Sequence, residues 1–261
     1  MTAKFSDFVI SRDFLDVVNK MNQEAGRFAR QSRQLSSDFA RAASAVSSLL
    51  VEVLADHRRD ERIAGSGWFP HPALPLNDID EQLTSDAQNV DRFVRDHVEK
   101  EWQSIRATLL ESSAFQSIDA SHRETMRQTI VAHEAALYRC IPRTLFGEIE
   151  MAARIVLIGL PLNNAINASL KPVLNLIGDL PVTAFPADIR AGAIYALVIE
   201  QIYLDSRRLP TGAALPNRHN HIHGYSRSHA DFKDSLNMLL ISEVMFRILA
   251  IVSKIVDDSI E

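Results

Sequence analysis

The sequence predicts an all-α protein. Its 261 residues include only 9 glycines and 10 prolines, about 7% together against an average near 12%, so few residues interrupt helices. Apolar residues recur at three- and four-residue spacings along much of the chain, and no internal repeat or convincing strand pattern is found. A hydrophobic content of 46% with 23% charged residues is ordinary for a globular protein with a sizeable core.

The amino-terminal region carries the longest apolar seam and predicts a long amphipathic helix. Twelve positions between residues 14 and 53 follow alternating steps of three and four, and eleven of them are apolar. They are Phe14, Val18, Met21, Ala25, Phe28, Ser32, Leu35, Phe39, Ala42, Val46, Leu49 and Val53. Such a coiled-coil-like seam needs a partner, which is either the rest of its own chain or another subunit.

The helical region is expected to stop near Gly65. The proline-containing segment from Trp68 to Pro75 follows and predicts a loop that carries aromatic residues. A second helical region is expected from about Ile79 to Leu110. The segment Ser112–Ala120 is then a connector, at which we place a boundary between two domains, residues 1–112 and 113–261.

The carboxyl-terminal half predicts a series of helices. The Ser121-His-Arg-Glu124 sequence matches a capping box and predicts a helix from Ser121 to about Tyr138. Pro142, which is tolerated in a first helical turn, predicts the next helix, through about Leu160. Three further helices are expected, at about Asn164–Ile177, Ala187–Leu204 and Asp231–Ile255.

Several side chains carry structural predictions. The last helix is apolar on most of its circumference, which indicates a position either at the centre of a bundle or at a subunit contact, with Glu243 and Arg247 as an exposed pair four residues apart. Arg154 lies in an apolar run, and Glu150 is its expected partner. Cys140 is the single cysteine, is expected to be buried, and excludes an internal disulfide.

The sequence also indicates a cytoplasmic location without a membrane anchor. The first fourteen residues contain acids where a signal peptide would have its apolar core, and no segment reaches the roughly 20 apolar residues of a membrane span. Neither a glycine-rich phosphate loop nor a Cys-x-x-Cys or His-Glu-x-x-His motif occurs, so no cofactor is expected. The net charge of −5 at first argues against a general nucleic-acid binder.

One segment reverses that argument locally. The stretch from Ser206 to Lys233 contains five basic residues and a single acidic residue, Asp231, which gives it a charge of +4. Four of the nine histidines lie between Leu215 and His229. This basic segment is the strongest candidate for a functional site.

Three interpretations of the basic segment remain open. His219, His221 and His223 have an alternating spacing that suits zinc or copper ligands on a strand, although the flanking sequence is helical. The histidines are alternatively surface residues of a loop. In the third interpretation Arg218 grips a phosphate in bidentate fashion, and His223 transfers protons near neutral pH.

The Arg-x4-His stretch from Arg218 to His223 resembles the signature of the HEPN superfamily, in which a polar residue such as His219 often follows the arginine. Asn217-Arg218-His219 and His223-Gly224 also resemble a prokaryotic group of uncharacterised HEPN-like proteins. The resemblance covers about Ser121–Glu261 at superfamily level and most of the chain at group level. Upstream matches to that group are Trp68-Phe69, Glu111-Ser112 and the stretch from Ala132 to Glu150.

The resemblance implies a helical bundle that dimerises, so that two motifs form one RNA-cleaving site without metal. Arg218 and His223 would be catalytic, with Asn217 and His219 orienting the phosphate or the strand. The implied partners are RNA or a nucleotide, a second copy of the chain and an antitoxin or other regulatory protein, in defence, stress response or a toxin pair. The alternative is a HEPN-fold binding or sensor module that does not cut RNA.

Three more residues belong to this hypothesis. Arg227 and Tyr225 are candidates for orienting the substrate. Tyr225 also completes an Arg-x4-His-x-Tyr variant, which implies adenylylation by an antitoxin, whereas the plain alternative is that it caps the turn after Gly224. Glu148 either faces the motif and orients His223 or is a solvated carboxylate.

Overall fold

The computed structural model describes residues 55–111, 119–158, 202, 215–218 and 231–258, together with six residues between Lys20 and Gln34. Every regular element in these ranges is helical, which confirms the all-α prediction. The helices are α1 (residues 55–65), α2 (Leu76–Ser85), α3 (Val90–Glu111), α4 (Ala120–Glu134), α5 (Cys140–Ile158) and α6 (Phe232–Asp258). The helices expected at about 164–177 and 187–204 lie outside the described residues.

The chain divides into two compact units, Met1–Asp56 and His57–Glu261. Helices α2 and α3 therefore belong to the same unit as α4, α5 and α6. This division differs from the boundary expected at residues 112–113. Helix α3 packs against α4, which follows it in sequence, and against α6, which begins more than a hundred residues further along the chain.

The core of the second unit is built around α6. This helix packs most extensively on α5 and also contacts α4 and α3. Its residues are buried on nearly all sides between Leu236 and Leu249, with Phe246 fully buried. Each such large apolar side chain contributes roughly 1.5–3 kcal/mol on burial. The predicted central position of the last helix is confirmed.

The helix ends follow local chemistry. Helix α1 ends at Gly65 as predicted, and Gly67 adopts a φ of 85° in the turn that follows. The expected helix from Ile79 to Leu110 is two helices, because the chain leaves the helical conformation at Asp86 (φ −155°). Asp86 then accepts a hydrogen bond from the side chain of Asn89 across the short 3-10 turn Ala87–Asn89.

The amino-terminal end of α4 is capped by Asp119, whereas the sequence predicted Ser121. The Asp119 carboxylate accepts hydrogen bonds from the hydroxyl and backbone N–H of Ser121, at 2.6 and 2.7 Å. These bonds hold the pKa of Asp119 below its usual value, first through the hydroxyl. Helix α4 ends at Glu134, short of the expected Tyr138, and Ala136 in the following turn has a φ of 56°.

Helix α5 begins at Cys140, with Pro142 in its first turn as predicted. The prediction that Cys140 is buried is wrong: the thiol is exposed and donates to the carbonyl of Leu137 at 3.0 Å. Its place at the start of the helix, directly after a turn, explains this exposure.

The aromatic loop between α1 and α2 is buried against α6. Trp68 and Phe69 are within the core. Asn237 of α6 accepts from the N–H of Phe69 at 2.8 Å and donates to the carbonyl of Gly67 at 2.7 Å. Two long-range hydrogen bonds thus fix the loop backbone. Among the helices that the structure describes, none has the length and apolar character to cross a membrane.

Candidate functional site

The segment leading to Arg218 is anchored in the interior. Leu215, Pro216 and Asn217 are buried, and Arg218 is partly exposed. The side-chain amide of Asn217 donates to the carbonyl of Ile202 at 3.2 Å. Asn217 therefore fixes the backbone in front of Arg218, which is a supporting position and not one in direct contact with solvent.

Arg218 is held by a carboxylate from α5. Its Nε donates to Glu150 Oε1 at 2.6 Å, and the side chains of Arg218 and Glu150 are 29% and 16% exposed. A charge-assisted bond of this length between partly buried groups is stronger than a surface pair. The contact joins residues 68 positions apart in sequence. The spacing of residues along the chain could not predict a contact between such distant positions.

The predicted Glu150–Arg154 pair is present but is the weaker contact of Glu150. Arg154 Nη2 lies 3.9 Å from Glu150 Oε2, and the Arg154 side chain is 56% exposed. Glu150 thus stands between two arginines and bonds closely to one of them. Among the described residues, Glu150 is the one that bonds to Arg218, and the bond is made through Nε. Nη1 and Nη2 are the donors with which an arginine can bind a phosphate in bidentate fashion.

Glu148 lies on the opposite flank of α5 from Glu150. Residues two positions apart in a helix lie about 200° apart around its axis, so the two side chains point in different directions. The Glu148 carboxylate accepts hydrogen bonds from His122 Nδ1 at 2.9 Å and Thr125 Oγ1 at 3.0 Å, both on α4. Glu148 is therefore neither directed at Arg218 nor simply solvated. It connects α4 to α5.

His122 is placed between three helices by this contact. Its ring is buried and stacks on Phe246 of α6 with centroids 5.9 Å apart. Because Nδ1 faces the carboxylate of Glu148, Nδ1 carries the proton. Nε2 is then a buried acceptor that has no hydrogen-bond partner among the described residues. The stacking on Phe246 helps to hold the ring in the core.

A second polar cluster lies between the aromatic loop and α6. Glu243 is 1% exposed, and its carboxylate is bonded to His71 Nε2 at 3.0 Å and lies 2.8 Å from Arg247 Nε. The prediction of an exposed Glu243–Arg247 pair is wrong. The two residues are indeed four apart on one helical face, but that face is covered by the loop that carries His71.

The hydrogen bonds of His71 fix its tautomer. The backbone N–H of Ala73 donates to His71 Nδ1 at 3.0 Å, so Nδ1 is an acceptor and Nε2 carries the proton that is donated to Glu243. Both ring nitrogens are engaged, and His71 is a structural residue. The cluster forms one wall of a cavity of about 440 Å³ whose other wall is the exposed side of α3 at Ser104, Thr108 and Glu111.

His219, His223, Tyr225 and Arg227 lie outside the described residues, and so does His221. Their proximity to Arg218 stays a prediction, as does the metal-binding interpretation of the three alternating histidines. Within the part of the chain that the structure describes, no group of three or more His, Cys, Asp or Glu side chains could hold a metal ion. The site that the structure does define is the Glu150–Arg218 pair, in which α5 supplies the carboxylate and the segment 215–218 supplies the arginine.

Comparisons with known proteins supply no further assignment: no protein-family model matches the sequence, no curated protein is significantly similar to it, and no solved structure matches it significantly.

Proposed function

We propose that this protein is a metal-independent endoribonuclease of the HEPN type, with Arg218 and His223 as its catalytic residues. The observation that carries the proposal is the 2.6 Å bond from Arg218 Nε to Glu150. A carboxylate bonded to Nε restricts the rotation of the planar guanidinium and does not occupy its outer edge, which the two Nη groups form. An arginine oriented in this way is suited to hold a phosphoryl group.

The reaction is a transesterification within the RNA backbone. His223 accepts the proton of a ribose 2′-hydroxyl while the 2′-oxygen attacks the adjacent phosphorus. The bond from phosphorus to the 5′-oxygen breaks, and that oxygen takes up a proton as it leaves. The products are a 2′,3′-cyclic phosphate and a 5′-hydroxyl end. Arg218 stabilises the negative charge that develops on the phosphoryl oxygens.

A dimer provides the second proton-transfer group. When two copies of the motif face each other, one His223 acts as base and the other donates the proton to the leaving 5′-oxygen. His219, Tyr225 and Arg227 orient the strand in this arrangement, and Asn217 holds the backbone before Arg218. A strand without the 2′-hydroxyl at the scissile position is not cleaved by this route.

Incubation of purified protein with mixed RNA in EDTA tests the proposal. Cleavage is expected to persist in EDTA, to leave 2′,3′-cyclic phosphate ends, and to be lost in both Arg218→Ala and His223→Ala. Glu150→Gln keeps an acceptor but removes the charge that orients Arg218, and we expect an activity loss of about 10- to 100-fold. Arg92→Ala is the control, because Arg92 is 82% exposed on α3.

The outcomes distinguish the proposal from its alternatives. If Arg218→Ala and His223→Ala cut as well as the parent, the assigned site is wrong. RNA binding without cleavage would instead favour the non-catalytic HEPN-fold binding or sensor module. Activity that EDTA abolishes and zinc restores would favour the metal interpretation.

A further inference from the structure

Helix α5 presents a row of arginines beside the Glu150–Arg218 pair. Arg139 lies in the turn directly before α5 and is exposed, as is Arg143 in its first turn. Arg154 lies nearer the carboxyl-terminal end, and Arg218 reaches Glu150 between them. We refer to Arg139, Arg143, Arg154 and Arg218 as the α5 arginine row.

The geometry of a helix places Arg143 and Arg154, with Glu150 between them, on one side of α5. Residues seven and eleven positions after Arg143 return to within about 20° of its direction, and these residues are Glu150 and Arg154. Arg143 and Arg154 are therefore about 16 Å apart along the axis, with Arg218 attached between them through Glu150. The row is parallel to the helix.

Among the described residues, the row carries more positive than negative charge. In this part of the chain, Arg139 and Arg143 have no ion pair, and the contact of Arg154 with Glu150 is 3.9 Å long. Glu150 is the carboxylate of α5 on this flank, since Glu148 is engaged by α4 on the other flank. Four described arginines thus lie beside one described carboxylate, in a protein whose total charge is −5.

The surface beside the row is open. Gly147 lies four residues after Arg143 on the same face, and a Cβ built on it would meet no atom within 4 Å. The helix backbone is accessible there between the arginines. At this position, therefore, no side chain of α5 projects between the arginines.

From these observations we infer that the α5 arginine row is the path along which the phosphate backbone of single-stranded RNA binds as it enters the Arg218 site. A length of about 16 Å corresponds to about five nucleotides of a stacked strand at roughly 3.4 Å each. The inference rests on the proposed function for the identity of the substrate. It adds the surface that binds the strand outside the scissile phosphate.

Binding is measured separately from cleavage. The protein carries His223→Ala in all samples, and fluorescence anisotropy with a short labelled single-stranded RNA of mixed sequence gives the affinity at several salt concentrations in EDTA. Arg143→Ala with Arg154→Ala is expected to weaken binding about tenfold at low salt and to reduce the slope of log K against log salt by about 1.4, for two lost phosphate contacts. The matched control is Arg92→Ala with Arg127→Ala, which removes two exposed arginines from α3 and α4.

A charge inserted into the open position provides a second test that does not depend on removing side chains. Gly147→Glu and Gly147→Gln place side chains of equal size in the same open space, and they differ only in charge. The Glu variant is expected to bind RNA several-fold more weakly than the Gln variant, with equal thermal stability. This pair excludes misfolding as the cause of a difference.

The results separate this inference from the proposed function. If the row variants and the Gly147→Glu variant bind like their controls while the parent cuts RNA, the inference is overturned and the function stands. Row-dependent binding with no cleavage by the parent supports the inference and overturns the catalytic function. Binding of anionic lipid vesicles without binding of RNA would overturn the inference.

Discussion

Glu243 carries a charge inside the core, and side chains from two parts of the chain compensate it. Arg247 lies one turn away on α6, and His71 reaches the same carboxylate from the aromatic loop. Two charges in the interior are costly to desolvate, so such a pair adds little net stability over apolar residues. Removing one partner, in contrast, lowers stability strongly, because the other charge then stays buried without its partner.

Substitution of Glu243 tests the stability of this buried cluster. Glu243→Ala leaves the largely buried Arg247 without its close carboxylate and His71 Nε2 without an acceptor, and we expect a loss of about 3–5 kcal/mol of unfolding free energy. Urea unfolding measures it as a lower midpoint with an unchanged slope. Glu124→Ala is the control, because the Glu124–Arg127 pair is exposed and contributes roughly 0–1 kcal/mol. Equal midpoints for both variants would contradict the prediction.

At the scale of the helices, α4 and α6 meet at a buried histidine. His133 Nδ1 and the Ser235 hydroxyl are hydrogen-bonded at 2.6 Å, and the rings of Trp102, Tyr138 and Phe232 surround the imidazole. Burial lowers the pKa of His133 to about 4, against the opposing charge of Glu134. Next to Ser235, burial and the charge of Asp231 raise the pKa of Asp234 to about 6.

These two groups predict opposite pH dependences. Between pH 6.5 and about 4 the unfolded chain binds a proton at His133 that the folded chain does not, so stability falls by about 3 kcal/mol as pH falls through this window. Asp234 binds a proton in the fold between pH 6 and 3.8 that the unfolded chain lacks, so its contribution rises as pH falls. The two contributions partly cancel, so the unfolding free energy of the parent changes less with pH than it would with either group alone.

Asp234→Asn tests this compensation. The variant is expected to lose about 1–2 kcal/mol more than the parent between pH 6.5 and pH 4, a value reduced for solvent screening at this partly exposed carboxyl. Urea midpoints across the window measure the difference. Parallel curves for the two proteins would show that Asp234 does not offset His133.

Helix α5 permits a prediction of increased stability. Gly147 lies in the helix interior with open space beside it, so an added methyl group restricts the unfolded chain without a clash. Gly147→Ala is expected to raise the unfolding free energy by about 0.5–1 kcal/mol. Differential scanning calorimetry measures it as a higher Tm. Gly65→Ala is the comparison, because Gly65 is the last residue of α1 and has helix on one side only. An equal increase in Tm at Gly65 would contradict the explanation by helix propensity.

At the scale of the whole molecule, local spacing predicted the helices and long-range contacts could not be predicted. The end of α1, the start of α5 just before Pro142 and the central position of α6 follow from neighbouring residues. The Glu150–Arg218 and His71–Glu243 contacts join residues 68 and 172 positions apart. No periodic pattern relates such residues, since the packing of the helices alone brings them together. For the same reason Glu243 looked exposed in its own helix.

A composite site requires two chains to associate. If two copies of the Arg218–His223 motif form one catalytic centre, the active species has twice the 29.2 kDa mass of the chain, and specific activity falls on dilution below the dissociation constant of the dimer. Light scattering measures the mass and single-turnover cleavage the activity. Addition of excess His223→Ala protein to the parent is expected to lower cleavage, because a mixed dimer retains only one of the two histidines that transfer protons. A monomer that keeps full specific activity on dilution, with no loss of activity in the mixture, would show that a single chain holds a complete catalytic centre.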